Sequence, residues 1–235
     1  MRRLTLAALA ILALSIPVSA QEDGFFAGLD LTGGAAFGSS STTNGGMAPD
    51  AGGVVANVTF GNTIGIGGHV GRRIDPALSA FVSYRHIRGS VSWDAHFSRY
   101  GGTSDFGGDA ISNVIMANIA HDWVVADETF LRTSAGLGVS INSLTGVIET
   151  DRASGSFVTD VADHASLSPA LEIGAGLRHR ITPAAVLGLE AAISYAGGFR
   201  TGDTRKGNMG VTAITPYEID HVWRADLGAS VKFAF

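Results

Sequence analysis

The sequence contains no cysteine, and it has no long apolar segment beyond its N-terminus. Without cysteine the chain has neither a disulfide framework nor a thiolate metal site. The 16 basic residues are nearly all arginine and form no clustered stripe, so nucleic-acid binding has no support. No later stretch approaches the roughly 20 apolar residues of a membrane helix. A membrane form of this chain would therefore be a closed barrel, because only helices and barrels satisfy every backbone hydrogen bond in lipid.

The first 20 residues have the pattern of an export signal. Arg2 and Arg3 form a positive region, an apolar run extends from Leu4 to Ile16, and Val18-Ser19-Ala20 supplies a small-x-small cleavage site. An arginine pair also occurs in twin-arginine signals, but the longer pattern around it is absent here. We therefore predict a signal peptide at residues 1–20 and a single barrel domain at residues 21–235.

The segment from Ile219 to Phe235 alternates between an apolar row and a charged row. The apolar row is Ile219, His221, Trp223, Ala225, Leu227, Ala229, Val231, Phe233 and Phe235. Successive side chains of a strand point to opposite faces, so this segment predicts a strand with one apolar face. A soluble antiparallel strand would turn that face inward. The export signal and the terminal phenylalanine favour the opposite orientation, with the apolar row in lipid.

Similar alternation recurs along the chain and predicts eight strands. Their ranges are 24–37, 54–74, 77–87, 110–123, 129–142, 168–181, 185–195 and 219–235. In the second of them, Val54, Ala56, Val58, Phe60 and Ile64 are expected on one face, opposite Asn57, Thr59 and Thr63. That strand exceeds the roughly 9–11 residues of a membrane strand, so its first part is expected to project into solvent.

The predicted connections alternate between long and short. The long ones are residues 38–53, 88–109, 143–167 and 196–218, and turns of a few residues separate them. Membrane barrels combine short periplasmic turns, long external loops and an even strand number. The predicted fold class is therefore all-β: a transmembrane antiparallel up-and-down β-barrel with eight strands, four long external loops and short periplasmic turns. A soluble eight-stranded barrel or sandwich is the alternative.

Aromatic residues lie near both ends of the predicted apolar rows. Trp223 and Phe233 are ten positions apart on one face, which corresponds to about 25 Å of height at the usual strand rise and tilt. This height matches the apolar band of a membrane barrel. The predicted aromatic girdle comprises Phe25, Phe37, Trp123, Trp223 and Phe233.

Charged residues occupy the opposite, inward rows. The predicted lumen charge cluster comprises Asp30, Arg85, Arg132, Glu172, Arg178, Glu190, Arg224 and Asp226, and His69, Arg73, Arg180 and Lys232 share these rows. An eight-stranded barrel is only wide enough for side chains to fill it. Opposite charges would therefore pair in a polar plug, because unpaired buried charge is costly. A narrow channel lined by arginine and acids is the alternative.

The export signal, the first strand G-F-F-A-G-L-D-L-T-G-G and the terminal V-K-F-A-F together resemble a known family. It comprises the small eight-stranded outer-membrane barrels of Gram-negative bacteria, of the opacity-protein and OmpA-transmembrane-domain type. The resemblance covers the mature chain and is mainly architectural. It implies the outer membrane as location after cleavage near Ala20, with outer-membrane lipid and lipopolysaccharide as partners. In that family the barrel-assembly machinery reads a C-terminal aromatic signal, which implies Val231, Phe233 and Phe235 as the assembly signal here.

Motifs for chemistry are weak in this sequence. The seven histidines show no H-x-H or H-E-x-x-H spacing. His96-Phe97-Ser98 resembles the His-x-Ser pair of some outer-membrane lipid A deacylases, but it falls in a predicted loop without a following Glu. His164-Ala165-Ser166 has the same form, although Glu172 beyond it is expected to point inward. The sequence therefore predicts no enzyme, no cofactor, no metal site and no catalytic residue.

Several aromatic residues fall in the predicted external loops: Trp93, Phe97, Tyr100, Phe106, Phe157, Phe199 and Tyr217. They favour either a surface that recognises an extracellular ligand or small cores of hairpins above the membrane. The predicted function is a structural or surface-interaction role in envelope integrity, adhesion or host contact. A narrow porin-like channel is the first alternative, and a lipid A-modifying enzyme is the more distant one.

Overall fold

The protein is built from antiparallel β-strands. The computed structural model describes residues 24–45, 53–208 and 210–235, so the predicted signal peptide and its cleavage site lie outside the described residues. The strands are β1 Phe25–Ser39, β2 Gly53–Phe60, β3 Asn62–Arg73, β4 Leu78–Phe97, β5 Gly102–Ala126, β6 Thr129–Asp151, β7 Phe157–Val161, β8 His164–Thr182, β9 Ala185–Arg200, β10 Thr204–Gly207, β11 Gly210–Ala213 and β12 Glu218–Ala234.

Within the described residues there is no helix of sufficient length and apolar character to span a bilayer.

Eight of the strands close into a ring in the order β1-β3-β4-β5-β6-β8-β9-β12. The ring closes where β12 pairs with β1, with Phe233 opposite Ala27 and Trp223 opposite Phe37. All neighbours are antiparallel, so closure pairs the backbone groups that an open sheet would leave at its edges. The predicted eight-stranded antiparallel barrel is confirmed.

The two ends of the barrel differ in their connections. At one end, called the turn end, residues 74–77, 127–128 and 183–184 make tight turns beside Gly24 and Phe235. At the other end, called the loop end, the strands continue well beyond the apolar band. This distribution of short and long connections is the one that the sequence predicted.

Strand β4 shows how side chains are distributed over the height of the barrel. Near the turn end its outer row is apolar, from Leu78 to Tyr84, and its inner row includes Ser83 and Arg85. Towards the loop end the chemistry reverses: the inner row continues with Ile87, Val91, Trp93 and Ala95, and the outer row with Arg88, Ser90, Ser92 and Asp94. The inner row of β4 stays inside and the outer row stays outside along the whole strand. What changes with height is the medium around the barrel, which is lipid near the turn end and water near the loop end.

Residues 88–109, predicted as a loop, are mostly strand. Strand β4 runs to Phe97 and β5 begins at Gly102, with a short turn at residues 98–101. The ladder joins Trp93 to Phe106 and Asp94 to Asp105. The segment looked polar because its outer row carries serine and aspartate, while the apolar side chains of Val91, Trp93, Ala95 and Phe106 are buried on the inner side.

The predicted strand 54–74 is divided into β2 and β3 at Gly61. Within β2 the register shifts between Ala56 and Thr59, and Asn57 adopts a φ of 53°, so a bulge interrupts the alternation. One extra residue reverses the faces that follow it. Val58 and Phe60, predicted to share a face with Val54 and Ile64, therefore pack against the interior of the loop end.

A second bulge changes the outer part of β12. The register to β9 shifts between Ile219 and Val222, and His221 has a φ of 52°. Ile219 and Val222 both become buried, while His221 and Trp223 face outward. The prediction that Ile219 lies on the lipid-facing row was wrong, because the alternation was extended through a bulge that no glycine or proline announces.

The long connections predicted at 143–167 and 196–218 also contain strands. Strand β6 extends to Asp151, and β7, β10 and β11 form a small external sheet that continues from β6 in the order β6-β7-β10-β11. The residues predicted as loops at 143–167 and 196–218 therefore include ordered hairpins. A buried ion pair joins this sheet to the barrel, with Arg205 Nη1 3.0 Å from Glu149 Oε2.

Candidate functional site: lumen and external hairpins

A network of charged side chains fills the lumen inside the apolar band. Its central pair is Arg85 on β4 and Glu172 on β8, where one guanidinium nitrogen reaches both carboxylate oxygens. Both side chains are about nine-tenths buried. They approach from opposite walls of the barrel, so a single ion pair ties strands that are not neighbours in the ring.

Three further ion pairs and one histidine–carboxylate contact surround this pair. His69 Nδ1 lies 2.8 Å from Asp30 Oδ2, and Arg132 Nη1 lies 3.3 Å from Asp122 Oδ1. Arg178 and Glu190 approach to 3.7 Å, as do Arg224 and Asp226. The structure thus places all eight residues of the predicted lumen cluster inside the barrel. Asp122, on the strand next to Arg132, joins them.

Aromatic rings cover the charged network towards the turn end. The Arg132 guanidinium lies 5.3 Å from the centre of the Phe81 ring, and the Lys232 ammonium lies 4.9 Å from that of Phe26. The His69 ring contacts both phenylalanines, with centroids 5.9 Å from Phe26 and 5.5 Å from Phe81. Cation–π contacts of this kind compensate part of the desolvation of buried cations.

An apolar cluster, called the loop-end core, fills the barrel above the network. The Trp93 and Phe106 rings stack with centroids 5.3 Å apart, and Tyr217 packs on Phe106 at 4.7 Å. The members of the loop-end core are Ala36, Val55, Val91, Trp93, Ala95, Phe106, Ala110, Leu144, Val147, Val161, Ala196, Phe199, Ile214, Tyr217, Ile219 and Val222.

Little free volume remains along the lumen. A polar cavity of about 70 Å³ lies among Asp30, Arg85, Glu172 and Asp226. The gap between the network and the loop-end core, beside Ile87, measures about 10 Å³. A single water molecule needs roughly 10–15 Å³ of cavity volume. The polar cavity therefore has room for a few waters, and the gap for at most one.

The loop aromatics divide between the two predicted roles. Trp93, Phe106, Phe199 and Tyr217 are buried and belong to the core of the extended hairpins. Tyr100 and Phe157 are exposed, and Phe97 is partly buried against the core. Burial of the Tyr217 hydroxyl, reinforced by the nearby Glu149 carboxylate, raises the pKa of that hydroxyl above its ordinary value.

The outer face of the loop-end wall is polar. Asp94 and Asp105 face each other across β4 and β5, and Arg152, which follows β6, bridges the two carboxylates. Asn57 donates to Asp94 over 2.5 Å from the bulge in β2. Partial burial raises the pKa of Asp94, but the hydrogen bonds from Asn57 and Arg152 outweigh it and hold that pKa below its ordinary value. Three hairpins are thereby joined on their outer surface.

All five predicted girdle residues present exposed rings on the barrel surface. Phe25, Trp123 and Phe233 lie towards the turn end. Phe37 and Trp223 face each other on β1 and β12 at the other margin of the apolar band, and Tyr195 joins them with its ring 5.2 Å from that of Trp223. Sequence reasoning left Tyr195 out of the girdle, although its position at the end of an apolar row is the same signal.

The predicted assembly residues lie in the closing seam. Val231 pairs with Leu29 and Phe233 with Ala27, and the Phe235 backbone N–H donates to Phe25 O over 3.0 Å. The Phe233 and Phe235 rings are exposed at the turn end.

The two His-x-Ser motifs are engaged in other contacts. His96 Nδ1 lies 3.1 Å from Thr103 Oγ1, and Ser98 is in the exposed turn that follows β4. Ser166 donates weakly to backbone carbonyls inside the loop end. Glu172, the candidate acid for the second motif, is bound to Arg85.

Solved structures of outer-membrane proteins resemble the barrel. The outer membrane protein OprG from Pseudomonas aeruginosa superposes with a TM-score of 0.54 at 12% identity, covering 90% of this chain and 96% of its own. Neisserial surface protein A gives 0.48 at 19%, covering 90% and 97%, and the Escherichia coli outer membrane protease OmpT gives 0.49 at 9%, covering 91% and 97%. Neither a protein-family model nor a characterised relative matches the sequence. The match to OprG shows a shared fold, that of an outer-membrane β-barrel.

Proposed function

We propose that this protein is a closed barrel in the outer membrane of a Gram-negative bacterium, with a structural or surface-interaction role. The contribution to the cell would be envelope integrity, adhesion or host contact. The observation that carries this proposal is the filled interior: the loop-end core lies directly above the charged network. A barrel filled in this way acts through its outer surfaces, which are the apolar band and the wall of external hairpins.

The partners follow from these surfaces. The apolar band and its aromatic margins suit outer-membrane lipid and lipopolysaccharide. The polar outer wall, with Tyr100 and Phe157 exposed at the hairpin ends, supplies a surface for an extracellular ligand. Because both His-x-Ser motifs lack an assembled acid and base, the proposal includes no catalytic residue and no cofactor.

Conductance measurements test the closed lumen. In planar bilayers the purified protein is expected to give no stable single-channel steps, because the gap below the loop-end core is too small for a continuous water path. Stable steps that change with Arg132→Ala or Glu190→Ala would establish the narrow channel instead. In parallel, a deletion strain is expected to become detergent-sensitive if the role is envelope integrity and to lose surface binding if it is adhesion.

The closing seam supports a proposal for the assembly signal. Val231, Phe233 and Phe235 lie on the last strand, which pairs with β1 to close the ring. We expect deletion of Phe235 to reduce insertion by the barrel-assembly machinery more than it reduces the stability of inserted barrels. Equal losses in the two measurements would contradict this role.

A further inference from the structure

The turn end of the lumen opens into a pocket of about 590 Å³. We call this pocket the basic mouth, because three of its lining residues are cations: Arg73 on β3, Arg180 on β8 and Lys232 on β12. Phe25, Phe26 and Phe235 supply apolar walls. The mouth lies on the opposite side of the charged network from the loop-end core and faces the solvent at the turn end.

Lys232 is a buried cation without an anionic partner among the described residues. Its side chain is 5% exposed, and the contact found for its ammonium is the face of the Phe26 ring at 4.9 Å. The charges that act on it most strongly are the cations Arg178, Arg132 and Arg73 and the carboxylate Asp122. Asp122 is already bound to Arg132. Burial without an ion-pair partner disfavours the charged form of this ammonium, and an anion bound beside it would stabilise that form.

Within the described ranges, the acidic groups around the mouth form no ion pair with Lys232 or Arg73. Asp75 Oδ1 accepts the backbone N–H groups of Ala77 and Leu78 over 2.8 and 2.7 Å, which occupies it within its own turn. Glu128 is bound to Arg180 at 3.0 Å. The carboxylate of Phe235 forms no ion pair with a side chain in the described ranges, and neither does Arg73.

We propose that the basic mouth is a binding site for a small oxyanion of the carboxylate or phosphate class, held by Lys232 and Arg73. The ammonium supplies a point charge from the floor of the pocket, and the guanidinium supplies paired donors from its rim. Such an anion would supply the ion-pair partner that Lys232 and Arg73 both lack among the described residues.

Two sources could supply this oxyanion. One is a free or ligand-borne phosphate in the solvent. The other is the chain itself, because Glu22 and Asp23 immediately precede Gly24, a residue of the mouth. A carboxylate one or two residues away acts at a high effective concentration.

Titration with inorganic phosphate tests the site, in a maltoside detergent without phosphate groups and at constant ionic strength. The variants are Lys232→Met, which keeps the side-chain length, and Arg73→Gln, whose exposed side chain leaves folding intact. The control is Arg200→Gln, because Arg200 is an exposed loop-end arginine bound to one acid, Glu218, at 3.4 Å. Lys232→Met and Arg73→Gln are each expected to weaken phosphate binding about tenfold or more, and the control to leave it unchanged.

A Glu22→Gln/Asp23→Asn double variant distinguishes the sources. Phosphate binding that is about fivefold tighter or more in this variant identifies the chain's own carboxylates as the occupant. Equal binding identifies an external oxyanion. The site does not exist if neither the unaltered protein nor the double variant binds phosphate at millimolar concentration, or if binding survives both Lys232→Met and Arg73→Gln.

Discussion

The turn-end half and the loop-end half of this barrel use the same strand alternation with opposite chemistry. In the turn-end half the outer rows are apolar and the inner rows carry paired charges, as with Val82 outside and Arg85 inside on β4. In the loop-end half of the same strand, Trp93 is inside and Ser92 outside. The comparison shows that a period of two defines the faces of a strand, whereas the surrounding solvent decides which face is apolar.

The stability of the turn-end half should depend most on the buried ion pair between Arg85 and Glu172. Arg85→Ala leaves Glu172 buried without a partner, and we expect a loss of about 3–5 kcal/mol in the free energy of unfolding. The measurement is urea unfolding of the barrel in lipid vesicles. The double variant Arg85→Met/Glu172→Leu should recover most of the loss, because a packed apolar pair removes the unpaired charge. A double variant as unstable as Arg85→Ala would contradict this account.

An arginine substituted on the outer face should have very different effects on stability in the two halves. Leu137 lies in the apolar band, and Leu137→Arg is expected to cost about 2–4 kcal/mol of unfolding free energy near the bilayer midplane. Ser92→Arg, on the outer face of the loop-end wall, should stay within about 0.5 kcal/mol of the unaltered protein. Similar costs at both sites, measured by the same urea unfolding, would mean that the apolar band extends to Ser92.

A smaller effect is expected from trimming the loop-end core. Val147→Ala removes two buried carbon atoms, which should cost about 1.5–2 kcal/mol and loosen the hairpins above the membrane. Protease cleavage of the external hairpins should become faster, while heat-modifiable migration of the barrel is retained. The matched control is Val211→Ala on β11, where the side chain is exposed. Equal cleavage rates for the two variants would show that the hairpins do not depend on this core.

The sequence was sufficient to predict the membrane-spanning half of the barrel, because in that half the apolar rows face lipid and the charged rows face the lumen. Apolar rows ending in aromatic residues predicted strand number, connection pattern and the inward position of all eight charged residues. The pairs themselves could not be predicted, because Arg85 and Glu172 meet across the lumen rather than along neighbouring strands. The partners of each charge depend on the closure and stagger of the ring.

The strands of the loop-end half were harder to predict from the sequence, because there the apolar row faces inward and the polar row faces outward. Val91, Trp93 and Ala95 alternate with Ser90, Ser92 and Asp94 as regularly as any membrane strand, and this signal could have extended the third and fourth strands. The bulges could not have been found in the same way. Asn57 and His221 adopt positive φ angles that are uncommon for residues other than glycine, and tertiary packing determines where they occur.

The bridge made by Arg152 has a consequence for immune recognition. Its two carboxylate partners come from β4 and β5, while Arg152 itself follows β6, so one small patch of outer surface combines three distant stretches of sequence. An antibody that binds this patch would contact residues from all three stretches at once. Linear peptides copied from single hairpins would reproduce only part of the patch and should bind such an antibody poorly.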